Sequence, residues 1–571
     1  MSKPANTLRT RAWIRLGIVL SIILLVNMLG SIWFGHIDLT EEKRFTLTPA
    51  TLKILRETPD VISVKVLLEG NFPAGFRRLQ NATREMLQRF KSENANFQYV
   101  FEDPNVGSVD EINGRRQSLS EQGIMPVNFR YKDNDQTTEK LIYPVAIFNY
   151  GQKTMLVNLL ENETPGLAPE EALNNSVSLL EYKFINAIQK LTLKDKQIIA
   201  FTTGKGEPDI PQLKTLKKQL QSFYTVAKVN LDSVYKVDSI VNLLIVAGPT
   251  KPFTERNKFV IDQYLMHGGR IIFLINKLNV SLDSMMGRAG KYSPYENQLG
   301  LDDLLFKYGC RIQPNMVLDL ECSKIPLVTG QTGSAKQIDM FPWYYHSLSS
   351  PGSSNAIVKN IDRVNLFEPS SIDTVRTKTP VEKTILLSSS KYSRTQFTPV
   401  ELNFDILRYD PDPAKFNEGP KAEAVLLEGV FPSLYENRVS EDQQAALSQM
   451  KSSFRASSKP SKIIVVSDAD FVQNLSNASS GEAGPIGYNR FEKQLYKGSN
   501  DFISNSIEYM LDEGGVLQAR TREVKLRMLN KVKADDEKTY WQLVNVALPV
   551  ILLLIFGLIF QYRRKRKYTR A

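Results

Sequence analysis

The sequence predicts a mixed α/β protein, with a small N-terminal α/β domain and a larger doubly wound α/β domain carrying a β-rich elaboration, flanked by two transmembrane helices. Three observations predict it. Residues 16–35 and 539–562 are runs without a charged residue, one near each end. The roughly 500 residues between them exceed what one hydrophobic core organises, so two or three domains are expected. Within that stretch short β-branched runs alternate with helical spacings, the pattern of strands and their covering helices.

The spans come first. Twenty residues at a ~1.5 Å rise reach about 30 Å, the thickness of a bilayer's hydrocarbon core. Trp13 and Trp33 lie near the ends of the first run, and Tyr540, Trp541 and Tyr562 bracket the second, where interfacial rings prefer to sit. Pro549 falls inside the second, which a spanning helix tolerates when neighbouring groups satisfy the freed carbonyl. A cleaved signal peptide would have an apolar middle of about 7–15 residues and a small-x-small cleavage site. The first run is longer and no Ala-x-Ala follows it, so an uncleaved anchor is expected.

Charge orients the spans. Lys3, Arg9, Arg11 and Arg15 precede the first, and Arg563, Arg564, Lys565, Arg566, Lys567 and Arg570 follow the second, with no acid in either tail. The positive-inside rule puts both tails in the cytoplasm, and two spans give the matching parity. The expectation is a two-pass protein of a bacterial inner membrane with its bulk in the periplasm. The same tails hold ten of the net +11 charges, leaving about +1 for everything between. A basic pI would otherwise raise nucleic-acid binding; here the excess is topogenic, and the middle shows no basic stripe.

Behind the first span, residues 38–192 read as the first extracytoplasmic domain. Strands are expected at 61–69, 97–101, 127–131, 142–150 and 154–160, with helices at 48–56, 75–94 and 169–191. That order suits a thioredoxin-like or similar small α/β domain. The doubly wound domain takes residues 196–280 and 461–515. Its strands are expected at 197–203, 225–230, 239–247, 270–274 and 461–467, with helices at 211–223, 254–267 and 501–511. Gly268-Gly269 is a stop signal for the second of these helices. Residues 281–460, rich in Ser, Pro and Asn, read as the β-rich elaboration, with strand candidates at 317–320, 384–387 and 424–427. Residues 516–538 read as a charged helical connector, 541–562 as the second span and 563–571 as its basic tail.

Candidate chemistry is sparse. His36, His267 and His346 are isolated and give neither a zinc-binding helix nor a triad spacing. Cys310 and Cys322 are too far apart for a Cys-x-x-Cys pair. On the outer side of an inner membrane they either form a disulfide, whose closure stabilises by ~3 kcal/mol, or sit unpaired in a core. Thr203, Gly204, Lys205, Gly206 and Glu207 follow a buried strand and precede a helix, where α/β folds bind ligands, yet they are no P-loop. They read as a ligand or partner loop, or as glycines that let the chain turn. Asp468 and Asp470 end another strand; two carboxylates without further ligands fit a turn better than a metal site. No catalytic residue, metal or cofactor is expected.

Several stretches together resemble a known family. They are Asp38-Leu39-Thr40 with Arg44-Phe45-Thr46-Leu47-Thr48-Pro49-Ala50, Phe72-Pro73-Ala74-Gly75-Phe76, Thr203-Gly204-Lys205-Gly206-Glu207, Ala247-Gly248-Pro249, Ser467-Asp468-Ala469-Asp470-Phe471 and Asn500-Asp501-Phe502. The sequence resembles the gliding-motility-associated ABC-transporter auxiliary proteins of gliding bacteria, often described as substrate-binding components, over nearly the whole chain. Relatives often carry His-Gly-Glu where this chain has Lys205-Gly206-Glu207. The middle sheet is similar to a flavodoxin/glutamine-amidotransferase-like domain, but no Cys stands on a strand-to-helix elbow to supply that nucleophile. The resemblance implies a non-enzymatic accessory subunit whose partners are an ABC ATPase subunit, a multi-span permease subunit and the lipid bilayer. The rival expectation is an envelope structural factor that couples motility without transport.

Overall fold

The computed structural model describes residues 5–32, 46–133, 136–160, 169–193, 195–209, 211–287, 290–332, 335–440, 453–475, 483–512, 514–521 and 536–568, with residues 442, 444, 445, 447 and 533. The chain divides into two units, residues 1–522 and 523–571.

In the first unit, helix α1 is Ala5–Ile32. Its shorter stretch Trp13–Leu25 is apolar, and residues 33–35 of the expected first span lie outside the described residues. Helix α2, Pro49–Glu57, starts where the sequence dictates: Thr48 is the N-cap, its Oγ1 accepting the Thr51 N–H at 3.3 Å, and Pro49 needs no partner for an N–H it lacks.

The first sheet contains β1 (Ile62–Val66), β2 (Phe97–Phe101), β5 (Val145–Tyr150) and β6 (Lys153–Asn158) in the order β2-β1-β5-β6. β1 and β2 are parallel; β5 is antiparallel to β1 and to β6. Strands β3 (Val127–Asp133) and β4 (Gln136–Ile142) make a separate hairpin. Alternation sends Ile62, Val64, Val66 and Phe148 to one face, where helix α3 (Ala74–Glu93) buries Leu79, Leu87 and Phe90. Phe148 meets Phe184 with ring centroids 5.2 Å apart. Each such side chain contributes about 1.5–3 kcal/mol by leaving water. Helix α4 (Val109–Glu121), unforeseen in the sequence reading, carries a capping box between Ser108 and Glu111.

The single helix expected over 169–191 is two, α5 (Pro169–Ser178) and α6 (Leu180–Thr192). Ser176 and Ser178 donate their hydroxyls to the carbonyls of Ala172 and Asn175 at 2.7 and 2.8 Å, a back-bonding that bends helices. The break lets both Leu179 and Leu180 enter the interior.

The second sheet holds β7 (Ile198–Thr203), β8 (Thr225–Asn230), β9 (Val241–Ala247), β10 (Arg270–Leu274), β11 (Cys322–Thr332), β12 (Ala335–Pro351), β13 (Val381–Ser388), β14 (Ala422–Gly429) and β15 (Ser461–Val466). Their order is β11-β12-β13-β14-β15-β10-β9-β7-β8. The five strands from β15 to β8 are mutually parallel; β11 to β14 join antiparallel. Strands in the elaboration therefore extend the main sheet rather than standing beside it. The two longest, β11 and β12, were missed because their Ser, Thr, Gln and Gly content hides the alternation.

Both faces of β7, β9, β10 and β15 are covered, as their near-continuous apolar runs require, while β8 at the edge is half-exposed. Ala200, Leu244, Val246, Ile271 and Phe273 face helix α8 (Glu255–Met266) and helix α9 (Asp302–Tyr308). Ile199, Phe201, Leu243, Ile245 and Ile272 face helix α7 (Lys214–Gln221) and helix α10 (Lys497–Leu511). α8 begins with Thr254 as N-cap and ends at His267 before Gly268, whose φ is +98°.

The first sheet's domain is fixed to the second through charge as well as packing. Lys190 of α6 lies 2.5 Å from Glu508 of α10, and the same carboxylate accepts from Tyr182 Oη and, at 3.2 Å, from Asn186 Nδ2. Residues 516–521, expected in the connector, are instead a 3-10 helix whose Val516, Leu517 and Ala519 complete the core under α6. Their apolar side chains gain more from that interior than a solvated connector would offer. Residues 522–532 of the expected connector lie outside the described residues.

The second unit contains helix α11, Lys538–Tyr568, which runs unbroken past Pro549. Its stretch Lys538–Arg566, about 44 Å at ~1.5 Å per residue, is long and apolar enough to cross a membrane. Trp541 Nε1 donates to Glu537 Oε2 at 3.0 Å at the start of that stretch.

Candidate functional site

In an open α/β sheet the ligand crevice forms at the carboxyl ends of neighbouring strands whose following helices leave on opposite faces. Here those strands are β7 and β9, since α7 and α8 pack on opposite faces of the sheet. The loop Thr203, Gly204, Lys205, Gly206, Glu207 leaves β7 at that point, as the sequence placed it.

The chain closes this crevice on itself. The Lys205 carbonyl accepts the N–H groups of Thr250 and Lys251, both at 2.9 Å, and Thr250 Oγ1 donates to the Gly206 carbonyl at 3.3 Å. Both glycines are required where they stand. Gly204 has φ +101° and Gly206 φ +76°, the left-handed region. A Cβ on Gly206 would lie 2.1 Å from Thr250 Oγ1, and one on Gly204 2.7 Å from Asn230 Oδ1.

The two charged residues of the loop are spent on its own architecture. Lys205 is buried and its Nζ lies 2.6 Å from Asp232 Oδ1; that ammonium holds the Asp232 carboxyl below the usual carboxylate range. Glu207 Oε2 accepts the Lys205 N–H at 2.6 Å, while its Oε1 is buried without a hydrogen-bond partner among the described residues. Close by, Asp209 takes both Lys217 and Lys228, which depress its carboxyl. The loop thus acts as a clip between the ends of β7 and β9.

The remaining sequence candidates separate. Asp468 is buried; its Oδ2 accepts the Phe367 N–H at 2.9 Å and its Oδ1 the Asp470 N–H at 2.7 Å, which makes a turn. Burial, and then the Asp470 charge, push its carboxyl well up. Cys310 and Cys322 are free thiols. Cys310 is packed in the core beneath α8 and α9, and Cys322 against the core of Met316, Ile325 and Trp343; burial pushes each thiol up to about 12.

Several buried acids escaped sequence reading. Asp262 of α8 accepts from Tyr308 Oη at 3.0 Å, Ser433 Oγ at 2.7 Å and the Leu434 N–H at 2.9 Å. Glu423 of β14 is fully buried, accepts from Ser347 and Ser349, and is pushed up to about 8 by burial. His346 Nε2 lies 3.2 Å from Glu368 Oε1. An acid inside an apolar strand run, as Glu423 is, was the available signal. A cleft of about 330 Å³ lined by Tyr235, Asn242, Tyr264, His267 and Arg270 opens at the opposite, amino-terminal edge of the sheet.

Comparison with known proteins adds the family. A family model described as an ABC-type uncharacterized transport system matches residues 196–506, and a domain of unknown function, DUF7088, matches residues 41–149. An uncharacterized protein of Borreliella burgdorferi is 22% identical over 573 residues, covering 96% of this chain and 97% of that one. Among solved structures, the chain is similar to the mmIFT52 N-terminal domain, with 13% identity, a TM-score of 0.29 and coverage of 55% of this chain and 97% of the other. It is also similar to a ThuA-like protein from Parabacteroides merdae, with 11% identity, a TM-score of 0.21 and coverage of 54% and 89%. The transport-family match spans more than half of the 571 residues and includes every parallel strand of the second sheet, so this chain belongs to the ABC-transport auxiliary family.

Proposed function

We propose that the chain is a non-enzymatic, membrane-anchored accessory subunit of an ABC-type transporter complex. It crosses the inner membrane twice, through residues 16–35 and 541–562, with both termini in the cytoplasm and its α/β bulk in the periplasm. One observation carries this reading: a transport-family domain lies in the same chain as an apolar helix, Lys538–Arg566, that runs directly into a basic block. Its partners are a separate ATPase subunit and a multi-span permease subunit, and its setting is gliding motility.

The folds support the reading. Numbered from its own first strand, the parallel part of the second sheet runs 2-1-3-4-5, the order of flavodoxin-like folds. The first sheet has a strand–helix–strand unit joined to an antiparallel hairpin, the connectivity of a thioredoxin-like domain. Of the strongest candidates for chemistry at the crevice, the Lys205 ammonium is paired with Asp232 and one Glu207 oxygen takes the Lys205 N–H, which supports a binding or structural role over catalysis.

Purification of the full chain in mild detergent from its native membrane is expected to recover an ATPase and a permease; recovery of the chain alone counts against the complex. Reporter fusions after residue 300 and after residue 571 are expected to report opposite sides of the membrane. The same side for both would overturn the topology. A deletion strain that loses motility with unchanged transport would favour the coupling role instead.

A further inference from the structure

β11 and β12 pair as a ribbon at the outer end of the second sheet, and the outer half of that ribbon is exposed, one of its faces being apolar. The register is unbroken from Lys324↔Pro342 through Pro326↔Met340 to Val328↔Ile338, so these residues share a face. Lys336, two residues before Ile338 on β12, lies on it too. Val328 is 60%, Ile338 58% and Met340 42% exposed, high for apolar side chains held on a regular strand pair. On the opposite face Ile325 and Leu327 enter the core of Met316 and Trp343, while farther out Thr329, Gln337 and Asp339 are polar and exposed, Asp339 accepting from the other two.

The character of the free face selects its partner. It is an apolar stripe with a lysine at each end, Lys324 and Lys336, and no acid. Neither lysine's ammonium is ion-paired among the described residues; the Glu492 carboxylate beside β11 takes the Lys324 backbone N–H, at 2.9 Å. A second copy packed on the stripe would set lysine against lysine in either orientation. Edge-to-edge pairing is discouraged as well, because Pro326 removes a donor from β11 and a bulge follows Val328. Apolar side chains between cations instead match a membrane interface, where such groups sit at the acyl boundary while lysines meet anionic headgroups. Helix α11 supplies the proximity, being long and apolar enough to hold the chain at a bilayer.

We propose that this ribbon face docks on an anionic lipid surface, with Val328, Ile338 and Met340 entering the interface and Lys324 and Lys336 engaging headgroups. The test uses the full chain in vesicles of phosphatidylcholine and of a phosphatidylcholine–phosphatidylglycerol mixture, with an environment-sensitive fluorophore on Val328→Cys. Wild-type chain treated in parallel gives the background from the two native cysteines. The expected result is a blue-shifted emission in the anionic vesicles, quenched by spin-labelled lipid and lost when Lys324→Glu and Lys336→Glu are combined. A fluorophore on Gln337→Cys, on the opposite face, is expected to stay water-like. Thermal unfolding of the charge-reversed chain should match wild type, since both positions are exposed. Water-like emission from position 328 in both vesicle types overturns the proposal. So does a shift that follows protein density, which would indicate a second copy, or one that survives in lipid-free detergent.

Discussion

Removing either partner of the Lys190–Glu508 pair should cost more than any single contact at the candidate loop. Both side chains are largely withdrawn from water, 13% and 18% exposed. Glu508→Leu leaves the Lys190 ammonium buried without its counter-charge, and Lys190→Met does the converse; each should cost about 3–5 kcal/mol. At roughly 2–4 °C per kcal/mol for a large domain, that is a fall of about 6–20 °C in the first unit's Tm. The double variant should recover much of the loss. It would not recover all, because Tyr182 and Asn186 lose an acceptor, worth about 1–3 kcal/mol. Burial alone would raise the Glu508 carboxyl, but the Lys190 charge and the hydrogen bonds outweigh it and hold the carboxyl below its ordinary 4.5. Its folded pKa being depressed, the pair's stabilisation is complete above the unfolded value and lost as pH falls through the folded one. The gap between wild type and Glu508→Leu should therefore close below about pH 4.5. Thermal unfolding of the four chains in mild detergent, between neutral and acid pH, measures all of this. Additive single costs, or a gap unchanged in acid, would refute the role given to the pair.

Gly206→Ala should destabilise by about 1–2 kcal/mol for the left-handed backbone plus the cost of displacing Thr250, and combining it with Thr250→Ala should remove only the second part, as read by chemical unfolding. Glu423→Gln should be the more stable chain at alkaline pH. With its folded pKa raised to about 8 against an ordinary 4.5, wild type loses stability as pH climbs through that window, whereas the amide does not titrate. Reducing agent should leave the unfolding temperature unchanged, and a non-reducing peptide map should show no link between Cys310 and Cys322, because the two thiols pack in separate cores.

The legible parts of the fold were those where one physical signal dominates. β2, β8 and β10 stand at the residues the sequence marked, because short segments rich in β-branched and aromatic residues between polar turns admit few alternatives. α8 was bounded by Thr254 and Gly268 for the same kind of local reason, a cap at one end and a left-handed stop at the other. β11 and β12 were illegible because their outer residues face water, so burial imposes no alternation there. The split between α5 and α6 depends on serine back-bonds that compete with the helix and leave no mark on periodicity. At the candidate loop, position and glycines could be read, but the engagement of Lys205 by Asp232 and of its carbonyl by Thr250 spans 27 and 45 residues of chain, beyond any local pattern.

That engagement bears on where this protein can recognise anything. To enter the crevice between β7 and β9, a ligand must displace the two N–H bonds into the Lys205 carbonyl and the Thr250 hydroxyl bond to Gly206. Three hydrogen bonds at about 0.5–1.5 kcal/mol net each make an opening cost of about 1.5–4.5 kcal/mol. That lowers any affinity there by roughly ten- to a thousandfold before the ligand forms its first contact. Lys205 adds to the cost, since drawing it toward an anion strips Asp232 of its counter-charge. A surface already exposed and shaped carries no such penalty, and the ribbon face of Val328, Ile338 and Met340 is one. Recognition at the ribbon, with the crevice serving as the rigid clip that holds the sheet edge in place, is the division of labour that the energies favour.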